Sequence, residues 1–258
     1  MGTFIIPCKY VKEKSLLRRC LSSIRKCHPE NEIIIIDSDS EDKSYFDWAR
    51  NEFAVEIDVA FNKNYTTGAI WRAYNNHERE FYYFLHDSVE LIDNISEVEK
   101  NNLSVVMHGK RWEWPRIDTS KLEKNSARSC EWAKDNINQY VKTDFREHGF
   151  NSILGPMFCC KRTILEKIYE TGFHKVLPTN KSQSENMERL WGYIFAEVGL
   201  EKELENNSIL GPFRHGNGSG EGSAKIGHSI KLTLDGVNVK KNVHKDGDKL
   251  IKYWVRRQ

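Results

Sequence analysis

The sequence has no large excess of charge of either sign and no long apolar run. Lysine and arginine total 39 residues against 37 aspartates and glutamates, so the formal net charge is only +2. Such a balance creates no overall field that would attract nucleic acid, and we expect none as a partner. No stretch approaches the roughly 20 apolar residues of a membrane span, and the first residues do not read as a secretion signal. We therefore expect a soluble, cytoplasmic protein.

The sequence also lacks the cysteine spacing of a metal-binding or redox motif. None of the six cysteines forms a C-x-x-C motif, and several lie within predicted strands or helices. Such cysteines are typical of reduced, mostly buried thiols in a cytosol-like compartment. What the chain does have is length and apolar content, because 258 residues with 39% hydrophobic side chains suffice for a sizeable core.

Apolar strand patterns alternate with amphipathic helix patterns in the first part of the chain. We predict a strand at Thr3–Cys8, a helix capped by Ser15, and a second strand at Glu32–Ile36. A strand, a helix and a strand in succession form a right-handed parallel crossover, so both strands end at one edge of the sheet. The sequence therefore predicts an α/β fold, a single Rossmann-like domain with a mostly parallel central sheet flanked by helices.

The segment Phe81–Leu91 (FYYFLHDSVEL) shows the sharpest change of polarity. Its first five residues are aromatic or aliphatic, which predicts a strand buried on both faces. The run stops at His86, Asp87 and Ser88. Ionisable residues at the carboxyl end of a strand mark the edge at which open α/β sheets bind ligands.

The second strand also ends in polar residues, Asp37-Ser38-Asp39-Ser40. In a parallel crossover they would lie beside Pro7 and Cys8, at the end of the first strand. Asp37 and Asp39 could accept hydrogen bonds from the ribose or the base of a nucleotide. The alternative is an Asp/Ser-rich turn that caps a helix near residues 45–51, and the sequence leaves both open.

Four segments together resemble the nucleotide-binding half of glycosyltransferases with the GT-A fold, of the family-2 kind. They are FIIPCKY, EIIIIDSDSED, NYTTGAIWRAYN and YYFLHDSVEL. The resemblance implies a hexosyl- or pentosyltransferase that uses a nucleotide-sugar donor, with UDP or GDP as the nucleotide. The expected acceptor is a hydroxyl group on a glycan or glycoconjugate. Pro7, Cys8, Asp37, Asp39, Arg72, His86 and Asp87 are the candidate donor-binding residues.

The resemblance also implies a divalent cation, Mn²⁺ or Mg²⁺, at the diphosphate. Asp87 is the expected carboxylate ligand, and His215 is a second candidate because some members of the fold use a late histidine. The family's D-x-D pattern reads His86-Asp87-Ser88 here, so its two acids are missing. Three interpretations stay open: a weaker metal site completed by water, a metal-independent enzyme that uses cations of the protein, or an inactive relative.

The helix pattern after Ser182 contains the candidate catalytic base. The family places an acidic pair eleven or twelve residues before a glycine that ends such a helix. Counting back from Gly199 gives Glu188, and Glu185 is the reserve candidate. A base there would imply an inverting reaction. The alternative is that a glutamate near a helix start only interacts with the positive end of the helix dipole.

The remaining predictions concern the acceptor and the carboxyl-terminal part. Trp112, Trp114 and Gly155 are candidate acceptor-site residues, although two tryptophans around a glutamate also pin loops to a core. We predict a donor half at about 1–91, an acceptor half at about 103–215, and a flexible segment at 216–258. Its basic end, 240–258, reads as a solvated helix or as a weak contact with a membrane surface.

Two other functions remain as alternatives. A nucleotidyltransferase of related fold would have a glycine-rich loop after the first strand, but Pro7-Cys8-Lys9-Tyr10 contains no glycine. A non-catalytic carbohydrate-binding relative would use the tryptophan-rich middle of the chain. Binding of nucleotide sugars separates these alternatives from a glycosyltransferase.

Overall fold

The computed structural model describes most of the chain and all of its central sheet. The described residues are 1–12, 15–106, 108–112, 132–133, 135–137, 139–140, 150–206, 209, 230–234, 236–241 and 248–255. The strands are β1 (Thr3–Cys8), β2 (Ile33–Ser38), β3 (Glu56–Ala60), β4 (Phe81–Phe84), β5 (Val89–Leu91), β6 (Leu103–Val105), β7 (His108–Trp112), β8 (Phe150–Ile153), β9 (Phe158–Lys161), β10 (Ile230–Leu234), β11 (Val237–Lys241) and β12 (Leu250–Val255). The helices are α1 (Leu17–Cys27), α2 (Tyr45–Phe53), α3 (Tyr65–Asn76), α4 (Arg162–Glu170), α5 (Lys181–Glu197) and α6 (Glu201–Asn206), with 3₁₀ turns at Ser96–Lys100 and Phe173–Lys175.

The central sheet has six strands in the order β3-β2-β1-β4-β9-β6. The first four are parallel, and β9 runs antiparallel to both β4 and β6. The α/β fold with a mostly parallel central sheet, predicted from the sequence, is confirmed. β3 lies at the edge of this sheet, and β1 lies between β2 and β4, so the ends of these three strands are neighbours.

Alternate residues of each central strand enter two different apolar cores. On one face, Ile5, Ile34 and Tyr82 pack with α3, α4 and α5. On the other face, Phe4, Ile33 and Tyr83 pack with α1 and α2. All four side chains of β4 are buried, as the unbroken aromatic run predicted. Because both faces of the sheet are covered, ligand access is confined to its edges.

Local polar contacts explain where two of the helices begin. Ser15 Oγ accepts a hydrogen bond from Leu17 N, although Leu16 takes the capping position. At α5, the Asn180 side chain accepts from Gln183 N at 3.0 Å. The helix stops before Gly199, whose φ of +85° is the left-handed conformation that glycine adopts at little cost. α5 therefore spans the predicted Glu185 and Glu188.

The carboxyl-terminal part differs from the helix favoured by the sequence. Residues 250–255 form β12, which pairs antiparallel with β5 and with β11. Lys252 lies opposite Val89 in this pairing. Val89 is the first residue of β5, which follows β4 after a short turn. The segment reads LIKYWV, and its β-branched and aromatic residues favour a strand over the helix that the basic composition suggested. The described part of the tail is thus attached to the strand that follows the Asp87 turn.

Two further segments contain short strands. Residues 152–160 form two strands, β8 and β9, because Gly155 (φ +63°) turns the chain between them. The stretch that begins at Val89 forms β5 and then a 3₁₀ turn at Ser96–Lys100. In the part of the chain that the structure describes, no helix combines the length and apolarity needed to cross a bilayer.

Candidate active site

A cavity of about 860 Å³ lies at the carboxyl ends of the parallel strands. It brings together the ends of β1 and β2, the loop before α3, the end of β4 and the start of α5. Its lining residues are Pro7, Cys8, Lys9, Val11, Ser38, Asp39, Phe61, Asn62, Lys63, Tyr65, Thr66, His86, Lys181, Ser184 and Glu185. Five of the predicted site residues are among them: Pro7, Cys8, Asp39, His86 and Glu185. The sheet edge is thus concave where open α/β sheets bind ligands.

Two residues of the cavity wall have unusual backbone conformations. Asp39 (φ +57°) and Tyr65 (φ +55°) both adopt the left-handed region, which is uncommon for residues other than glycine. Asn62 Nδ2 donates to Tyr65 O at 2.7 Å and to Ser38 Oγ, beside Asp39, at 3.2 Å. A Cβ on Gly68 would lie 2.1 Å from Asn62 Oδ1. This contact gives the glycine of the predicted Asn-x-x-x-Gly loop a physical reason.

Asp37 lies behind the cavity wall rather than in it. Its side chain is fully buried, and its carboxylate accepts from the Tyr45 hydroxyl at 2.6 Å and from Ser40 N at 3.0 Å. Ser40 Oγ in turn accepts from Tyr10 N at 2.7 Å. The alternative that the sequence left open was an Asp/Ser-rich turn that caps the helix near residues 45–51. The turn does contact α2 through Tyr45, but Ser44 at the N-cap position makes no side-chain capping hydrogen bond. A direct contact between Asp37 and a nucleotide stays a prediction.

Asp87 lies next to Cys8, because β1 and β4 are neighbours in the central sheet. Cys8 Sγ lies 3.9 Å from Asp87 Oδ2, within reach of a weak thiol hydrogen bond, and both side chains are buried. The following residue, Ser88, is also buried and accepts from Lys252 Nζ at 2.6 Å. The strand end therefore combines one carboxylate with an ammonium group that comes from β12.

His86 connects the cavity to the same ammonium group. Its Nδ1 lies 3.3 Å from Lys252 Nζ, and its Nε2 lies 3.2 Å from Thr66 Oγ1. An ammonium only donates hydrogen bonds, so Nδ1 acts as the acceptor and Nε2 carries the proton. Both Thr66 and His86 line the cavity. The end of β4 thus places an N–H group at the cavity wall, where it contacts Thr66 Oγ1.

Glu188 forms a hydrogen bond with Gly155, and Gly155 lies close to the His86 ring. Gly155 N donates to Glu188 Oε1 at 2.8 Å, and a Cβ on Gly155 would lie 2.8 Å from His86 Cε1. Burial raises the pKa of Glu188 to about 7, and the nearby Glu185 adds to this increase. The Gly155 hydrogen bond, Arg189 and Lys252 oppose it. A carboxyl with such a pKa is suited to accept or donate a proton near neutral pH.

The other predicted residues do not come together at this cavity. Arg72 does not line it and forms a two-point ion pair with Asp58 on β3, at 2.8 and 2.9 Å. Trp112 ends β7, opposite Phe150 of β8. Trp114 and His215 lie outside the described residues. Their predicted roles in the acceptor and metal sites stay predictions.

The donor set around Asp87 does not match a magnesium or manganese site. Mg²⁺ prefers oxygen ligands in octahedral geometry, and Mn²⁺ shares that preference. The Asp87 carboxylate has a thiol as its neighbour, while His86 and Ser88 both contact the Lys252 ammonium. Among residues in the described ranges, no three histidine, cysteine or acidic side chains form a group that could bind a metal.

Sequence reasoning missed several residues of the site. Lys9 and Lys181 join Lys63 in the cavity lining, so three lysines face two acids there. Phe61, at the end of β3, is 82% exposed beside the cavity and presents an aromatic face. Lys252 is separated from Ser88 by 164 residues. A polarity change at a strand end could have indicated Phe61, but no local pattern indicates a partner this distant.

Comparison with known proteins identifies similar solved structures but no matching family model or curated protein. No family model matches the sequence, and no curated protein matches it. A solved structure of S. aureus TarS residues 1–349 in complex with UDP has 12% identity and a TM-score of 0.44, covering 75% of this chain and 55% of that one. A structure of GalNAc-T7 with UDP, GalNAc and Mn²⁺ has 13% identity and a TM-score of 0.43, covering 65% and 36%. The chain thus spans about half or less of these solved chains. Likenesses of this size do not establish a shared activity, so the functional argument rests on the site itself.

Proposed function

We propose that this protein is an inverting glycosyltransferase that moves a sugar from a nucleoside-diphosphate donor to a hydroxyl acceptor. The observation that carries the proposal is the placement of Glu188. This carboxyl has a pKa of about 7 and accepts from Gly155 N, and Gly155 lies beside the cavity residue His86. Glu188 is also on the helix that contributes Glu185 to the cavity wall. The pattern of strand ends in the sequence supports the same assignment.

The donor would lie across the ends of β1, β2 and β4. The exposed ring of Phe61 offers a face for a nucleobase, and stacking of a base on an aromatic ring stabilises complexes by about 1–3 kcal/mol. Asp39 lines the same wall and offers a carboxylate to ribose hydroxyls. The ammonium groups of Lys9, Lys63 and Lys181 supply positive charge for the phosphates. UDP and GDP are the candidate nucleotides.

The reaction assigns Glu188 the role of general base. The acceptor oxygen attacks the anomeric carbon, and its proton passes to the Glu188 carboxylate. The bond from that carbon to the diphosphate oxygen breaks, and its electron pair leaves with the nucleoside diphosphate. Attack opposite the leaving group inverts the anomeric configuration. General-base assistance of this kind typically accelerates a reaction by a factor of about 10² to 10⁴.

Nucleotide binding tests the proposal first. We expect UDP, GDP or one of their sugars, at many times its Kd, to raise the melting temperature, because a ligand at about 100 times its Kd stabilises by about 2.7 kcal/mol. The corresponding free sugars serve as controls. A shift with free sugar and none with any nucleotide would favour the carbohydrate-binding alternative and contradict the donor site.

The reaction products distinguish a glycosyltransferase from a nucleotidyltransferase. A glycosyltransferase releases nucleoside diphosphate from a nucleotide sugar when an acceptor is supplied. A nucleotidyltransferase instead releases pyrophosphate from a nucleoside triphosphate and a sugar phosphate. Proton NMR of the product anomer then tests inversion, and a retained configuration would contradict the role given to Glu188.

A further inference from the structure

Lys252 lies at the turn where the metal site of the resembled family is expected. β12 pairs with β5, and Tyr253 N donates to Ser88 O at 2.9 Å, so main-chain pairing fixes Lys252 beside the end of β4. The Lys252 side chain is only 6% exposed. Its ammonium contacts Ser88 Oγ at 2.6 Å and His86 Nδ1 at 3.3 Å. These two side chains occupy the positions of the two acids in the D-x-D pattern.

The charges of this turn balance without a metal. The D-x-D pattern sets two carboxylates against a divalent cation. In this chain both acid positions hold neutral side chains, the middle position holds Asp87, and one ammonium is present. One carboxylate and one ammonium therefore take the place of two carboxylates and a divalent cation. Adding a divalent cation would place it against a buried ammonium, and like charges at such a distance repel.

The ammonium also determines what His86 presents to the cavity. Because Nδ1 accepts from Lys252, the proton resides on Nε2, on the side of Thr66 and the cavity. This N–H lies 3.2 Å from Thr66 Oγ1, and a phosphate oxygen at the wall would share it with, or take it over from, that hydroxyl. Without Lys252, either tautomer would be available to the ring, and the donor at the wall would be lost in part.

We propose that Lys252 is a positioning residue that replaces the metal ion of the donor site. It orients His86 as a hydrogen-bond donor toward the diphosphate, and its charge offsets the negative charge that develops on the leaving group. Fixed protein cations can perform this electrostatic role. The inference rests on the proposed function and adds that donor binding needs no divalent cation.

The test is calorimetric binding of UDP and GDP to the whole protein, in EDTA and in Mn²⁺. For the wild type we expect Kd values in the two buffers that agree within about twofold, because the site has its own cation. Lys252→Met keeps the apolar stem, and we expect Kd to rise by about 10-fold or more, as for a lost charge-assisted contact. Lys249→Met is the matched control, since its Nζ pairs with Glu97 on the 3₁₀ turn.

A triple variant distinguishes replacement of a metal by Lys252 from a purely structural role of this residue. His86→Asp, Ser88→Asp and Lys252→Ala together restore the D-x-D pattern and remove the ammonium. We expect nucleotide binding by this variant to depend on Mn²⁺. Nucleotide binding by the triple variant that is equally strong in EDTA would contradict the exchange of a metal for Lys252.

The outcomes distinguish this inference from the proposed function. Wild-type binding that is lost in EDTA and restored by Mn²⁺ would overturn the inference and leave the donor site intact. Unchanged affinity in Lys252→Met would also overturn it. Absence of nucleotide binding in every condition would remove the donor site and the inference together. If Lys252→Met fails to fold, the wild-type comparison of the two buffers still decides.

Discussion

Asp37 and Glu188 are two acids beside the same cavity, and they differ in burial and in hydrogen bonding. Asp37 is fully buried and accepts two short hydrogen bonds, from the Tyr45 hydroxyl and Ser40 N. Glu188 is partly buried, accepts one from Gly155 N, and has its pKa raised to about 7. The two donors hold the Asp37 carboxylate in a fixed orientation, whereas burial with one backbone donor raises the pKa of Glu188. Asp37 is therefore held in the wall of the site, and the proposed function gives Glu188 the role of general base.

The largest expected effect is on turnover. Glu188→Gln keeps an oxygen that can accept from Gly155 N but cannot take a proton. We expect kcat to fall by a factor of about 10² to 10⁴, with the nucleotide Kd little changed. Glu185→Gln, on the same helix, is the matched control and should lose far less. Steady-state kinetics check this, and a larger loss in the Glu185 variant would exchange the two roles.

The next effect is on stability, and it concerns the other acid. Asp37→Ala leaves the Tyr45 hydroxyl and Ser40 N without their acceptor inside the protein. An unsatisfied buried donor costs about 1–3 kcal/mol, so we expect a loss of about 2–4 kcal/mol in the free energy of unfolding. Tyr45→Phe removes one partner and should cost less. Urea unfolding measures both, and a variant that keeps its stability but loses nucleotide binding would make Asp37 a ligand.

The contrast between the two acids also predicts a pH dependence. The pKa of Glu188 is 4.5 in the unfolded chain and about 7 in the folded one. Between these values the folded state binds more protons, so this group's contribution to stability is complete below pH 4.5 and is lost as the pH rises through 7. We expect Glu188→Gln, which has no charge to bury, to exceed the wild type by about 1–3 kcal/mol at pH 8 and to match it near pH 4.5.

Denaturant unfolding of both proteins at the two pH values measures this difference. Other titrating groups are common to both proteins, so they cancel in the comparison. Equal stability at pH 8 would mean that Glu188 is not desolvated. The rising limb of kcat/KM against pH should then also shift from about 7 toward the ordinary range of a carboxyl.

The sequence predicted the parts of the fold that local patterns encode. The aromatic run of β4, the isoleucines of β2 and the stop of α5 at Gly199 are all readable within a few residues. These elements place the strand ends together, which is why five cavity residues could be named in advance. The hydrogen bonds of Asp37 also have a local origin, since Ser40 and Tyr45 follow within eight residues.

The parts that were missed depend on contacts between distant segments. Lys252 reaches Ser88 across 164 residues, through a β12 to β5 pairing that no local pattern specifies. The link from Glu188 to Gly155 spans 33 residues, and the closeness of Gly155 to His86 follows from the turn between β8 and β9. A tail of basic composition also has no signal that distinguishes an exposed lysine from a buried one.

The smallest expected effect separates two acids that lie two residues apart. Asp39 lines the cavity in a left-handed conformation, whereas Asp37 faces the core. Asparagine tolerates that conformation as well as aspartate does, so Asp39→Asn removes only the charge. We expect an unchanged free energy of unfolding and a nucleotide Kd about 3–10-fold higher, the size of one weakened hydrogen bond. Calorimetry with UDP and GDP checks the affinity, and Asp39→Gly controls for the backbone. Lost stability with unchanged affinity would mean that both acids of this strand end are structural, and that the nucleotide contacts lie nearer Phe61 and the lysines.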